Sequence, residues 1–436
     1  MAITGVSFSR LCSKLPGSLL TYSLLCVFGV GSWVAVNGLW AEISILTRTL
    51  PECNCLPAVL VVVIQLANIG PLLYTVTNLY VQKRGYSVYR LEVIVVFVLV
   101  TVGLLSCVAL AVFWDRVTLV GGSEHSVSLI VISLFLASVD CTSSVVFLPF
   151  LKHFPSQYVS ALYIGEGLSG VLPSLTALSQ GFANSSSCST DPSELGLNFS
   201  PNVFFALLAS LMLLCGIAFL LLNTLPQVRA IMTANPSINT STIITEEQVT
   251  LVNTQLPKRR GLLMTCVSVL RAHVTIYFCL GLINFLTNGA LSAISAFALS
   301  PYGNEVYHTA INLALLATPI LSAVYLLLPH KSPVFTAVLT SLATLLGVYI
   351  LMAALMDPPP LHNLVVGKVL IVCVNVSISG LVAYAKVGAV VQLHTRQDNR
   401  DVALLLAGLI TQLGSLLGAV LFFVLVYFTN IFPPCT

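Results

Sequence analysis

The chain has 436 residues, of which 57% are hydrophobic and 8% charged, with a formal net charge of +3 and a mean hydropathy of +0.99. Soluble domains carry about 25% charged residues, so this composition excludes a water-covered globule and specifies an integral membrane protein. Twelve cysteines are scattered without CxxC pairs or metal-type Cys/His spacing, and those inside apolar runs read as small hydrophobes.

The first apolar segment follows Arg10 and Lys14 and imitates a signal peptide. It is too long for one and lacks a small-x-small cleavage site, so it reads as a retained helix. A span needs roughly 20 mostly apolar residues. Eleven segments qualify: 18–40, 57–80, 91–114, 126–150, 158–180, 201–225, 271–297, 305–328, 333–356, 362–390 and 401–430. The expected fold is an all-α integral membrane bundle of eleven transmembrane helices. Residues 1–225 form a six-helix bundle, 226–270 a flexible cytoplasmic linker, and 271–436 a five-helix bundle. The basic Lys258–Arg260 run in that linker reads as a membrane-surface anchor.

With the N-terminus inside, fourteen Lys and Arg residues fall in inner loops and only Arg48 and Arg116 in outer ones; Lys368 and Lys386 lie within a span. That asymmetry places the N-terminus in the cytoplasm and the C-terminus outside. The outer loop 181–200 carries glycosylation sequons at Asn184 and Asn198, and a third, Asn239, sits in an inner loop. Outer-side Cys53, Cys55, Cys188 and Cys435 are positioned for disulfides, with their pairing open.

Transporters are commonly built from repeats, and the polar residues suggest one here. Asn37–Gly38 and Asn288–Gly289 lie 251 residues apart, the prolines ending NIGP and LATP 248 apart, and GEGLSGVLP and TQLGSLLGA 246 apart. Spans 1, 4, 7 and 10 are then equivalent, and a major-facilitator-type arrangement would make them line a central cavity.

The candidate lining follows from that arrangement. Span 1 offers Trp33, Asn37 and Trp40 on one face, with Gly38 as a place for the helix to loosen. Trp40 is the better fit to an aromatic belt. Span 2 adds Gln65 and Asn68, span 4 Thr142, span 7 Asn284 and Asn288, and span 10 Asn375 and Tyr384. Any single amide reads first as interhelical glue, but five on spans 1, 2 and 7 suit a neutral ligand rich in donors and acceptors. Charged groups at membrane depth are costly and usually face a cavity. Asp140 and Lys386 are candidates to face one another in gating or proton sensitivity, the alternative being Lys386 reaching the cytoplasmic interface and Asp140 paired elsewhere. Glu166 reads equally as a transport residue or as the partner of a loop base. Glu42 lies about 140° round from Asn37, near the outer mouth, and is assigned to admission, gating or pH response.

No HExxH, P-loop or GxSxG motif is present, so neither hydrolysis nor ATP-driven transport is expected. The stretches GVGSWVAVNGLWAE, VVVIQLANIGPLL, VDCTSSVVFLPF, GEGLSGVLPSLTALSQG, TNGALSAISAFALSPYG, YAKV and QLGSLLGAVLFF resemble the riboflavin (vitamin B2) transporter family of solute carriers, from about residue 25 to 425. The resemblance implies plasma-membrane uptake of riboflavin, pH-sensitive in some members, with a major-facilitator-like or equilibrative-nucleoside-transporter-like six-plus-five fold. Riboflavin is then a transported substrate in a protein of the bilayer, with no cofactor and no nucleic-acid partner. Family members carry a Cys in both outer loops after spans 7 and 9; here those loops read ALSPYGNE and MDPPPLH, so that disulfide is not possible. A nucleoside or nucleobase carrier of the same architecture and a non-transporting membrane receptor are the other classes left open.

Overall fold

A computed structural model describes residues 16–155, 158–184, 188, 194–233, 259–330, 332–395 and 400–435. Arg10, Lys14, Asn239, Lys258, Lys331 and Arg396 lie outside the described residues. The first series of helices is α1 (Pro16–Val30), α2 (Val34–Thr49), α3 (Leu56–Leu66), α4 (Ile69–Lys83), α5 (Val88–Phe113), α6 (Val127–Phe150), α7 (Val159–Gln180), α8 (Pro201–Thr224) and α9 (Pro226–Thr233). The second is α10 (Arg259–Ala272), α11 (Val274–Phe285), α12 (Leu291–Ala293), α13 (Ser295–Leu299), α14 (Asn304–Leu327), α15 (Pro333–Leu355), α16 (Val365–Thr395) and α17 (Arg400–Phe428). Between α5 and α6 a hairpin of β1 (Thr118–Val120) and β2 (Ser123–His125) turns at Gly121 and Gly122, whose φ angles of 62° and 92° suit glycine.

Among the described residues nine helices are long and apolar enough to cross a bilayer, and α1–α2 counted as one bent span makes ten. The remaining segment, 158–180, is the 22-residue α7; its Ser, Gly, Glu and Gln content keeps it out of that apolar set. Outward-facing leucines such as Leu72, Leu105, Leu345 and Leu417 are more than 60% exposed, as a lipid-facing surface requires. The expected linker is helical at both described ends, in α9 and α10.

Three spans are interrupted, each for a local reason. Span 1 bends by 49° between α1 and α2. There the Gly31 and Ser32 amides donate to Phe28 O and Gly29 O, a tighter pattern than the α-helix. The break falls at residues 31–33 and not at Gly38, which stays helical because Leu208 packs against it. Helix α2 also runs to Thr49, well past the apolar segment, because its polar side chains find partners on other helices. Span 2 breaks at Ala67–Asn68: Pro71 has no N–H for the Ala67 carbonyl, which accepts from Gly70 instead. Span 7 passes through a π-helical turn, Leu286–Ala290, where Gly289 meets Gly418.

The bundle has unlike ends. At one, Cys53 bonds Cys188 and Cys55 bonds Cys435, with Cα separations of 5.7 and 5.3 Å. Toward this disulfide end α3 is mostly buried and packs on α12 and α17. Its continuation α4, running to the opposite end, buries only Tyr74. The disulfide end is thus where this span packs most closely on its neighbours.

Candidate functional site

Asp140 on α6 is completely buried and reaches into the break of span 1. Its Oδ2 accepts from the Val36 amide at 2.9 Å, one of the first-turn N–H groups that α2 cannot satisfy itself. Oδ1 makes no hydrogen bond among the described residues. One turn on, Ser143 Oγ donates to Ser32 O at 2.9 Å. Asp140 is thus a helix cap supplied from another span. Of the two readings of Asp140, this conformation has the one in which it is paired elsewhere: the carboxyl is engaged with backbone and not with Lys386.

Asn37 donates to Ser169 Oγ on α7 at 3.3 Å, and Asn288 donates to Ser415 Oγ on α17 at 3.2 Å. The asparagines stand 251 residues apart and the serines 246, so the two bonds occupy matching places in the two helix series. Ser169 and Ser415 were not singled out from sequence, although both sit inside the repeated stretches. Asn37 is half-buried and Asn288 exposed, so both amides retain an open side.

Around Asn288 the polar groups are linked. Buried Asn284 gives its amide N–H to Leu280 O at 2.7 Å, and its Oδ1 accepts from Asn288 at 3.1 Å and from Lys386 Nζ at 3.4 Å. Lys386 also lies within electrostatic reach of Glu166, one turn from Ser169 on α7. The lysine therefore points at the amide set rather than to the interface, and α7 joins the Asn37 and Asn288 groups. At the span 2 break Asn68 donates to Gln65 Oε1 at 3.4 Å. Trp33 packs with Trp40 against Ala67 and Cys141 there, so Trp40 belongs to this cluster and not to a surface belt.

Three candidates are committed elsewhere. Thr142 packs on Gly70 and spends its hydroxyl on Ser138 O at 2.6 Å. Asn375 donates to Ala310 O at 3.0 Å, tying α16 to α14. Tyr384 bonds Leu328 O and stacks on His330 with ring centroids 5.3 Å apart. Burial holds His330, in the α14–α15 connection, below the usual imidazole pKa. Asn375 and Tyr384 thereby fasten neighbouring elements to α16, and the Thr142 bond stays within α6.

A buried polar seam closes the two series at the disulfide end. His308 on α14 lies 3.0 Å from Ser44 Oγ through Nδ1 and 3.0 Å from Ala177 O through Nε2. A carbonyl only accepts, so Nε2 carries the proton. Asn312 donates to Ala41 O at 3.2 Å. Arg48 donates to Asn304 Oδ1 at 3.0 Å, and Asn304 in turn to Ala183 O at 3.0 Å. Glu42 sits inside this seam, fully buried, and so is not at an open mouth. It lies beside Gln180, but that amide nitrogen is given to Phe199 O at 3.2 Å. Neither Glu42 oxygen makes a hydrogen bond among the described residues. Outboard of the seam is a cleft of about 520 Å³ lined by Arg48, Asn54, Asn184, Tyr302, Asn304 and Lys368 among others. Neither Asn37 nor Asn288 lines it. Asn184 and Asn198 are both exposed at this end.

Residues 17–434 match the family model described as solute carrier family 52, riboflavin transporter. The chain is 36% identical to Homo sapiens riboflavin transporter member 3, with 95% of this chain and 97% of that one covered. It is 35% identical to Danio rerio member 3-A at 95% and 97% coverage, and 34% identical to Homo sapiens member 1 at 92% of each. Among solved structures, the fold is similar to nucleoside transporter NupG, with a TM-score of 0.50, 14% identity and coverage of 96% and 92%. It is similar as well to an auto-inhibited POT family peptide transporter, with a TM-score of 0.55, 11% identity and coverage of 93% and 89%. These relatives and structural neighbours are transporters and not enzymes.

Proposed function

This chain belongs to the solute carrier family 52 riboflavin transporters, and from that membership we propose that it carries riboflavin into cells by alternating access, without ATP hydrolysis or a bound cofactor. It does so at the plasma membrane through eleven spans, six (residues 1–225) and five (271–436) about the 226–270 connection. The N-terminus is cytoplasmic and the C-terminus extracellular. The disulfide end is then the outer one, where cysteines oxidise and Asn184 and Asn198 can be glycosylated. The fold is the closed-outside, open-inside member of a rocking pair.

The observation that carries this reading is the matched pair of Asn–Ser bonds, Asn37–Ser169 and Asn288–Ser415. Each helix series presents one oriented amide, and a ligand between them meets a donor-acceptor group from both sides. Riboflavin suits that lining: its ring has a uracil-like edge, its ribityl tail has hydroxyls, and the molecule is neutral. Gln65, Asn68 and the half-buried Trp33 supply further polar edges and a flat face. Asn284 and Lys386 orient the second amide. Glu42, inside the outer seam, serves gating and any pH response.

Purified protein in liposomes tests this with radiolabelled riboflavin across a pH series. Saturable accumulation, blocked by unlabelled riboflavin and untouched by excess uridine, supports the reading. Loss of flavin uptake under uridine would make the chain a nucleoside carrier, and no accumulation at any pH would leave a receptor. Asn37→Ala should lower uptake about tenfold at unchanged surface expression, as the loss of about 1.4 kcal/mol of polar contact gives. Normal uptake in that variant removes Asn37 from the site.

A further inference from the structure

The seam between the two helix series can be followed along α7 and α14. Ala177 O meets His308, a Cβ added at Gly170 would lie 3.7 Å from Leu315 O, and one added at Gly167 would lie 3.5 Å from the Pro319 side chain. Each step moves from the disulfide end toward the opposite mouth. Glu166 comes next on α7 and is exposed. Beyond this level α4 buries only Tyr74, and the alternating-access reading makes this end the open mouth.

Lys386 on α16 belongs to the other helix series and lies within electrostatic reach of Glu166. No ion pair joins them; the lysine instead donates to Asn284 Oδ1 at 3.4 Å. Asn284 Oδ1 keeps the Asn288 donor if the lysine leaves, so release costs it only one of two partners. Two opposite charges left unpaired in a closing apolar mouth would each carry a large desolvation cost. Pairing removes most of that cost, and only when the mouth shuts.

We infer that Glu166 and Lys386 form the ion pair that latches the inner mouth, Lys386 exchanging Asn284 for Glu166 as the two helix series rock together. This rests on the alternating-access reading and adds its inner gate. The exchange also couples gate to site, because the amide that Lys386 leaves is the one orienting Asn288.

The test uses the full chain in liposomes with Ala41→Cys as reporter in the outer seam. Labelling by a membrane-impermeant maleimide is measured above the background of the unsubstituted chain. Closing the inner mouth is what opens the outer seam, so Glu166→Ala and Lys386→Ala should each slow labelling roughly tenfold. Lys386→Arg should label near the parent rate. The swap of Glu166→Lys with Lys386→Glu should recover at least half of it. Single variants labelling at the parent rate would overturn the latch. So would a swap no faster than the singles, or an arginine variant as slow as alanine. Labelling needs no substrate, so failed riboflavin uptake by the parent would sink the function reading alone.

Discussion

Gly165→Val should remove the folded protein from the membrane, while Gly408→Ala should leave it unharmed or slightly stabilised. A Cβ at Gly165 would strike Cys26 O and lie 2.8 Å from Gly29 Cα. Both are backbone atoms of α1, which cannot turn aside as a side-chain tip can. Small residues let membrane helices approach this closely, and α7 packs on α1 through this contact. Overpacking costs about 1–3 kcal/mol where side chains can adjust, so a backbone clash belongs at or above the upper figure. Separating α1 from α7 also draws Ser169 away from Asn37. At Gly408 nothing lies within 4 Å, and alanine gains about 1 kcal/mol of helix propensity. Detergent-solubilised yield and melting temperature for the two variants check the contrast. Gly165→Val at parental yield and melting temperature would mean that the α1–α7 contact is softer than it looks. Gly289, with Gly418 backbone atoms 2.6 Å from its would-be Cβ, makes a similarly close backbone approach within the second series.

Much of this bundle is legible in hydropathy, because a bilayer demands long apolar segments whatever their partners. Segment 158–180 is less so: Glu166 and Gln180 dilute its signal, while Gly165 and Ser169, which make it pack, read only as small residues. The break in span 1 was assigned to Gly38 since the sequence shows a glycine but not the Leu208 side chain filling the space beside it. Four outer cysteines allow three pairings, and only spatial proximity selects Cys53–Cys188 and Cys55–Cys435. The amide pair was within reach, since Asn37, Ser169, Asn288 and Ser415 all lie in stretches whose spacing repeats. The bonds of Tyr384, Asn375 and Thr142 were not legible, because sequence does not show which backbone carbonyl a polar residue on a span will meet. Glu42 reads from sequence as a residue near the outer mouth, and α2, continuing past its apolar run, carries the carboxyl into the buried seam at that end.

Asp140 is where cap and proton carrier make opposite forecasts. As a cap, Asp140→Ala leaves the Val36 amide buried without an acceptor, a cost of about 1–3 kcal/mol, at a break already loosened by Gly29 and Gly31. Riboflavin uptake should then fall at least tenfold, with a lowered melting temperature. Asp140→Asn keeps an oxygen for Val36 and changes only the second carboxyl oxygen, which makes no hydrogen bond among the described residues. It should retain about half or more of parental uptake, with an unchanged pH profile. A proton carrier predicts equal loss in both variants, because neither amide nor methyl binds and releases a proton near neutral pH. Ser143→Ala removes the neighbouring bond to Ser32 O and should reproduce a milder form of the alanine defect. If uptake in the asparagine variant collapses while its melting temperature holds, Asp140 carries protons and the Val36 contact only positions it. If both variants keep parental uptake, the bend in span 1 is held by its own glycines and Asp140 is dispensable.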